Sequence, residues 1–538
     1  MIATTTVLTL ILIIPTLGAC YNLASGQQYK SLGAKLACLA MLVSWIGIIG
    51  LIPYVLLHGT IHETLFSWRG ISLLGLLVDR LSVVMLALVA TVSLIIHVYS
   101  RRAMQGEPRY KAFFAWLSLV TVAVMFVIVA DNLLLLSIAW ALKGLILSKL
   151  IDHYNDREAS RQAARLKRRT DLIGVSAFAL AIALAWRLFG TLDINTINNH
   201  ARLMSSQPQL VFMTMLLLIA AMVKSAQVPF QQWLPASLEA PTPVSAMMHA
   251  GLINAGGFLI VRLSFLFSAT PLTMTVATIV GGTTAIYGTM VMLTRSDVKN
   301  TLVYSTMGQM GFMLLECGLG AYSIAIVHLV AHGIYKATLF LGSADVLRQR
   351  NIERKITDQA HQQQKAVRGW IGDMILSIGT VLIFGGIFIF HGSSNQLLLV
   401  FAWETCGMGI ITMRQSVPSA RLLLTMGLIL AGCMYLFVLT QSEHYFAAIV
   451  APSPTPSPLL LSILALIILV IHAANYTIHR KSKQGWLLDM SDRLYIFALH
   501  RGYIDDLSQG INWRSSHRYR SGPPRNLSPR RENFPVTR

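Results

Sequence analysis

Apolar residues run along this chain in about fifteen stretches separated by short polar breaks, most of them near the ~20 residues that cross a hydrocarbon core as a helix. The stretches fall at about 4–21, 33–57, 71–98, 112–130, 132–150, 171–189, 208–228, 240–263, 270–293, 301–318, 322–345, 370–390, 396–413, 420–440 and 458–478. In lipid every backbone polar group must be satisfied within the segment, so runs of this length predict helices. The expected fold is all-α: a polytopic transmembrane bundle of about 14–15 helices, some of them broken.

The polar breaks alternate in charge. Arg101, Arg102, Arg109 and Lys111 follow the third stretch, Arg165, Lys167, Arg168 and Arg169 follow the fifth, and Arg348, Arg350, Arg354 and Lys355 follow the eleventh. The intervening breaks are nearly free of lysine and arginine; the HGSSN turn at 391–395 has neither. The positive-inside rule then places the N-terminus outside and the C-terminus in the cytoplasm of a bacterial inner membrane, in agreement with an odd helix number. The start MIATTTVLTLILIIPTLGAC carries a cysteine in a lipoprotein-like setting, but no basic residue precedes Lys30, so it is expected to remain as an uncleaved first helix. The chain divides into first helices (1–110), a core (111–347), C-terminal helices (348–479) and a basic cytoplasmic tail (480–538).

Composition agrees. Of 538 residues 54% are hydrophobic and 12% charged, against about 25% charged in soluble domains. Mean hydropathy is +0.60. The net charge of +20 has a topological cause and does not call for nucleic acid. In the tail, WLLDMSDRLYIFALHRGYIDDL is amphipathic, and the Pro-, Arg- and Ser-rich end has the composition of a disordered segment beside anionic lipid. The five cysteines (Cys20, Cys38, Cys317, Cys406, Cys433) form no CxxC pair, and neither an iron–sulfur spacing nor a nucleotide loop is present, so no cofactor or metal is expected in this chain.

Ionisable residues inside the apolar stretches carry the chemistry, because each costs roughly 2.5–3.5 kcal/mol at mid-bilayer. Lys224 lies in LLLIAAMVKSAQVPF, followed by Pro229, Pro235, Pro241 and Pro243. Four prolines so close together cannot share one regular helix, so the segment is expected to be a broken pair with Lys224 before the break and His249 beyond it. His328, His332 and Lys336 recur at a spacing of four in AIVHLVAHGIYKATLFL. They drift only ~80° around a helix over ~12 Å and form a ladder along one face, suited to proton relay. His328 and His332 have the spacing of a metal pair but no obvious third ligand. A histidine such as His249 can instead be a hydrogen-bonded interior residue, and buried charges can pair in a simple membrane anchor. Asp79 and Arg80 are expected to neutralise each other. Glu316 and Glu404 lie near enough to helix ends to reach water.

WLPASLEAPTPVSAMMHAGLINAGGFLIVR (233–262), SDVKNTLVYSTMGQMGFMLLECGLG (296–320) and AIVHLVAHGIYKATLF (325–340) resemble the antiporter-like subunits of respiratory complex I and of Mrp cation/proton antiporters. The resemblance extends from about Leu76 to Leu347. It implies an antiporter-like fold and a proton path with two half-channels, with roles falling on Lys224, His249, His328, His332 and Lys336. Asp79 and Asp171 also match family positions. Complex I subunits place a glutamate after the tryptophan matching Trp140; here that position is Ala141, with Lys143 nearby, so another acid, Asp171 among the candidates, is expected as the lysine's partner. Glu404 is a candidate for a later acid.

These departures, the absence of a long lateral helix and the tail motif LYIFALHRGYIDDL resemble instead the membrane subunits of DAB inorganic-carbon accumulation complexes. That resemblance implies a DabA-like zinc protein as soluble partner, with the zinc in the partner and this chain supplying ion flow for conversion of carbon dioxide to bicarbonate. The alternatives are a proton-pumping subunit of NADH:quinone oxidoreductase and an Mrp-type sodium/proton antiporter subunit. In every case the chain is an ion-translocating subunit, not an enzyme.

Overall fold

The computed structural model describes residues 2–68, 71–201, 207–295, 297–357, 434 and 437–452. The stretches expected at 370–390, 396–413 and 458–478, most of that at 420–440, the tail and Glu404 lie outside the described residues.

The chain begins with α1 (Ile2–Ala24) and α2 (Lys30–His58), which pack as a pair. Gly59 ends α2 at φ 83°, ψ −157°, a backbone region open to glycine and strained for other residues. A hairpin follows, β1 (Ile61–Trp68) paired antiparallel with β2 (Ile71–Val78), Ile61 opposite Val78. The bundle is all-α as expected, with this hairpin as an addition to it, but the apolar stretch at 71–98 is not one helix. Its first eight residues pair with the preceding segment as a strand, and helix α3 (Arg80–Ala103) starts only after Asp79, whose carboxylate accepts the Ser82 N–H at 2.8 Å as its N-cap. Hydropathy registers both halves alike and cannot see the change of backbone.

Four more apolar helices follow: α4 (Tyr110–Val129), α5 (Leu133–Ile151), α6 (Glu158–Phe189) and, after the short α7 (Ile194–Ala201), the somewhat shorter α8 (Pro208–Lys224). Then the chain breaks as the prolines require. It passes through α9 (Trp233–Ala236), α10 (Thr242–Met247), a π turn at Met248–Leu252 and α11 (Ala255–Arg262). The second part of this broken stretch, from Pro243 to Arg262, is the most enclosed of the apolar spans, buried throughout inside protein, as irregular backbone at membrane depth must be. After α12 (Ser264–Ser268), α13 (Pro271–Leu293), α14 (Val298–Gly318) and α15 (Tyr322–Thr357) complete the described core. Among the described residues nine helical segments are long and apolar enough to cross a membrane. Large apolar side chains such as Leu172, Leu145, Leu142 and Ile138 face outward, as a lipid-facing surface requires.

Successive long segments run antiparallel, so their ends sort onto two faces. One gathers the hairpin, the 130–132 and 190–193 connectors and the end of α11. There Leu76 bridges Ala130, Asn132 bridges Asp193, and the Asn198 amide donates to Arg262 O at 3.0 Å. We call it the hairpin face. The opposite, basic face gathers Arg101, Arg102, Lys111 and the start of α6; Lys111 donates to Ser25 O, and Ser160 to Ile151 O at 2.9 Å.

Helices α13 and α14 touch backbone to backbone. A Cβ on Gly288 would fall 2.5 Å from Gly308 N, and one on Gly281 2.5 Å from Leu315 N. Without a hydrophobic drive between helices in lipid, such small-residue contacts supply the packing. Gly288→Val is therefore expected to force the two helices apart and to cost about 1–3 kcal/mol of stability. Thermal unfolding of the detergent-purified protein checks this, and an unchanged Tm would show that the two backbones do not meet there.

Candidate functional site

The buried charges gather in two groups on either side of the broken stretch. The first lies between α5, α6 and α8. Lys224 Nζ donates to Asp171 Oδ1 at 3.0 Å, and Lys167 Nζ sits 2.5 Å from the same oxygen. The approach is possible because α5 carries Gly144 at the contact: a Cβ there would lie 2.6 Å from both Lys224 Nζ and Asp171 Oδ2. The carboxylate facing Lys224 thus comes from α6, while α5 carries Ala141 at the position where the resemblance leads one to expect glutamate. Lys143, fully buried, lies within electrostatic range of Lys224, Lys167 and Asp171, and donates to Leu252 O at 3.1 Å. That carbonyl ends the π turn that carries His249, so Lys143 ties the first group to the broken stretch. Trp140 offers its ring to Lys143 at 4.9 Å and to Lys224 at 5.8 Å, and Trp233 offers its ring to Lys167 at 4.2 Å.

The second group lies between the π turn, α14 and α15. His249 stacks on Phe340 at 4.3 Å between ring centroids. His332 lies 6.2 Å from His328 by ring centroid and within electrostatic range of His249 and Lys336. Lys336 Nζ donates to Ser305 Oγ at 2.8 Å and approaches Leu302 O at 3.4 Å, both on α14. His328 is held from both sides, Nδ1 at 2.9 Å from Glu316 Oε2 and Nε2 at 3.0 Å from Gln309 Oε1. Among the described residues both ring nitrogens of His249 and of His332, the Trp140 N–H, the Ser245 hydroxyl and the Gln231 amide are buried without a hydrogen-bond partner. A buried polar group left unmade costs about 1–3 kcal/mol, so a row of them between two charged groups marks polar, hydratable ground.

The structure therefore brings His249, His328, His332 and Lys336 together, and sets Lys224 with Asp171 in a separate group reached through Lys143. Two readings of the sequence are overturned. Asp79 does not neutralise Arg80: its Oδ2 takes Arg262 Nη1 at 2.6 Å, while Arg80 donates to Tyr445 O at 2.9 Å. Nor does Glu316 reach water; it is 3% exposed and faces His328, because the turn after α14 folds α15 back over it. Lys143, Glu316 and Arg262 were available as charges within apolar stretches and Lys167 as one of a basic break, but nothing local named their partners. His62, Asp131 and Asp193, on the hairpin face, bring potential metal-ligand atoms within 4.8 Å of one another.

Asp171 is the carboxylate that both Lys167 and Lys224 reach, and removing one partner of a buried pair leaves an uncompensated charge. Asp171→Asn is expected to destabilise the purified protein by about 3–5 kcal/mol, and adding Lys167→Met to recover much of that loss. Thermal melts of the two variants decide it; wild-type stability in Asp171→Asn would mean that the three groups do not share a proton-tight pocket.

Comparison with known proteins accords with this arrangement. Residues 130–367 match the family described as "NADH:quinone oxidoreductase/Mrp antiporter, TM", and residues 72–114 match "NADH-Ubiquinone oxidoreductase (complex I), chain 5 N-terminus". The chain is 40% identical over 291 residues to "Probable inorganic carbon transporter subunit DabB1" of Halothiobacillus neapolitanus, an alignment covering 53% of this chain and 52% of that one. It is 32% identical over 408 residues to "NADH-ubiquinone oxidoreductase chain 5" of Metridium senile, covering 73% and 66%. The matched part thus spans from about half to just under two thirds of those relatives' length. A similar fold occurs in the Mrp complex from Dietzia sp. DQ12-45-1b, with TM-score 0.58, 21% identity, and 95% of this chain and 57% of that chain covered. With both profiles matched in chain order across more than half of its length, this chain belongs to the family of antiporter-like membrane subunits shared by NADH:quinone oxidoreductases and Mrp antiporters.

Proposed function

We propose that this chain carries protons across a bacterial inner membrane as the membrane subunit of an inorganic-carbon uptake complex, and that their flow drives a zinc-containing soluble partner on the basic, cytoplasmic face. The observation that carries the reading is the continuity of buried titratable groups, from Lys167, Asp171 and Lys224 through Lys143 and the π turn to His249, His332, Lys336 and His328. The 40% identity to a probable inorganic carbon transporter subunit supports the carbon branch of the family.

The physical logic follows from burial. A lysine or histidine kept out of water has its charged form raised in energy, so its proton is released when a like charge arrives nearby and held when a carboxylate faces it. Asp171 faces Lys224 at 3.0 Å, so a charge arriving on Lys143 would act on the pair. Imidazoles of the second group can accept on one nitrogen and release from the other. One proton falling through ~150 mV yields about 3.5 kcal/mol, enough to shift a coupled equilibrium several-hundredfold. The partner's zinc would supply the hydration chemistry, and this chain the ion flow that makes it one-way.

In proteoliposomes with a pH-sensitive dye, Lys224→Ala and Lys336→Ala are each expected to slow proton flux by at least about a hundredfold, in line with loss of a proton-transferring group. The same variants should abolish carbon-dependent growth of a host relying on the complex. Wild-type flux in both, at normal expression, would leave a membrane anchor whose buried charges merely pair. Flux that requires sodium would move the chain to the antiporter branch, and loss of NADH oxidation on deletion would move it to the respiratory one.

A further inference from the structure

We propose that Glu316 is the proton-exchanging carboxylate at the hairpin-face end of this path, working with His328 as an acid–imidazole pair. The inference rests on the proton-path reading above and adds the group that ends it.

Glu316 is the acid that α14 sets against the histidine ladder of α15. It is 3% exposed, and its Oε2 lies 2.9 Å from His328 Nδ1, inside the window for direct proton transfer. The same helix carries Ser305, eleven residues earlier, which accepts from the Lys336 ammonium at 2.8 Å. At 1.5 Å rise per residue those two sites lie about 16 Å apart along α14, roughly half of a ~30 Å hydrocarbon core. Helix α14 therefore accompanies the ladder over its whole length, with a hydroxyl under Lys336 toward the basic face and a carboxylate under His328 toward the hairpin face. Nothing else in the described structure ends the ladder with an acid.

Both proton positions are accommodated in place. With Glu316 ionised and His328 protonated, Nδ1–H donates to Oε2 and Nε2–H to Gln309 Oε1. When the proton moves, the Nδ1–H bond breaks and an Oε2–H bond forms; the positive charge on the ring and the negative charge on the carboxylate cancel together. The new hydroxyl then donates to Nδ1, and Nε2–H keeps Gln309. No hydrogen bond is lost in either state. The position also works against a permanent ion pair. Glu316 stands in the last turn of α14, where the negative end of the helix dipole disfavours a carboxylate. That brings the neutral pair closer in energy to the ionic one, which a shuttle needs and a structural salt bridge does not. His332, 6.2 Å from His328 between ring centroids, is placed to reload the imidazole.

The test compares Glu316→Gln, Glu316→Asp and Lys336→Ala of the full chain in proteoliposomes, with flux and infrared difference spectra recorded on each. Glu316→Gln keeps the shape and the hydrogen bond to His328 but cannot carry a proton. It is expected to fold with wild-type Tm, to lose at least about a hundredfold in flux, and to remove the carboxylic-acid C=O band that appears when the wild-type protein is driven through a pH jump. Glu316→Asp should regain part of the flux. If Lys336→Ala abolishes flux while Glu316→Gln runs at the wild-type rate with its carboxyl band intact, the path stands and Glu316 is not on it. If Glu316→Gln loses flux but the band persists, Glu316 only positions His328 and the proposal falls. If all three variants conduct normally, the proton-path reading fails and takes this inference with it.

Discussion

The cost of a charge in a low-dielectric interior organises this molecule. A lone ammonium or carboxylate at membrane depth is expensive, and among the described residues nearly every such group is found beside another. Asp171 lies between Lys167 and Lys224, Asp79 faces Arg262, and Glu316 faces His328. The helices are placed so that these meetings can happen. Gly144 thins α5 where Lys224 and Asp171 approach it, and the broken stretch lets α11 end with Arg262 pointing at the cap of α3. Packing serves the charges as much as the charges serve packing.

Not all of these pairs have the same character. Arg262 carries a fork of donors, and besides Asp79 it reaches Ser82 Oγ at 2.6 Å and Ile128 O at 3.1 Å. That network ties the start of α3, the end of α4 and the end of α11 into one rigid corner of the hairpin face. The lysine and histidine groups differ because their protons can leave. Three buried lysines around one aspartate, and imidazoles whose nitrogens have no described partner, form an arrangement whose charge can change without moving the backbone. A rigid frame around titratable contents is what a path for protons needs, since the carriers must stay within reach of one another while their charge alternates.

The relation to the respiratory subunits turns on one substitution of partner. Where the resemblance to complex I subunits leads one to expect a glutamate after Trp140, this chain has Ala141, and the acid arrives from α6 as Asp171 while α5 contributes Lys143. The exchange keeps a carboxylate on Lys224 but adds a cation that also reaches the π turn. The first group thus carries an excess of positive groups and is linked directly to the segment bearing His249. That difference is electrostatic and leaves the fold unchanged.

Much of this was readable along the chain. Runs of apolar residues set the number of crossings, because length against bilayer thickness is a local property. The four prolines between Pro229 and Pro243 set the break, because a missing N–H is local too. Lys224, His249, His328, His332 and Lys336 stood out as charges where none should persist. What the chain alone could not supply was who faces whom. Asp79 was read with its neighbour Arg80, yet its partner lies 183 residues away, and Glu316 was read as reaching water, until the turn at 319–321 folded His328 onto it; for Lys224 the resemblance offered Asp171 as one candidate, and only the fold brought it across 53 residues to the lysine. The strand at 71–78 was hidden for a related reason: hydropathy sees apolar residues, whereas a strand exists only when another segment supplies its hydrogen bonds. Hydrophobic length is decided residue by residue, but charge compensation is decided by distance in space, and only the folded chain has that.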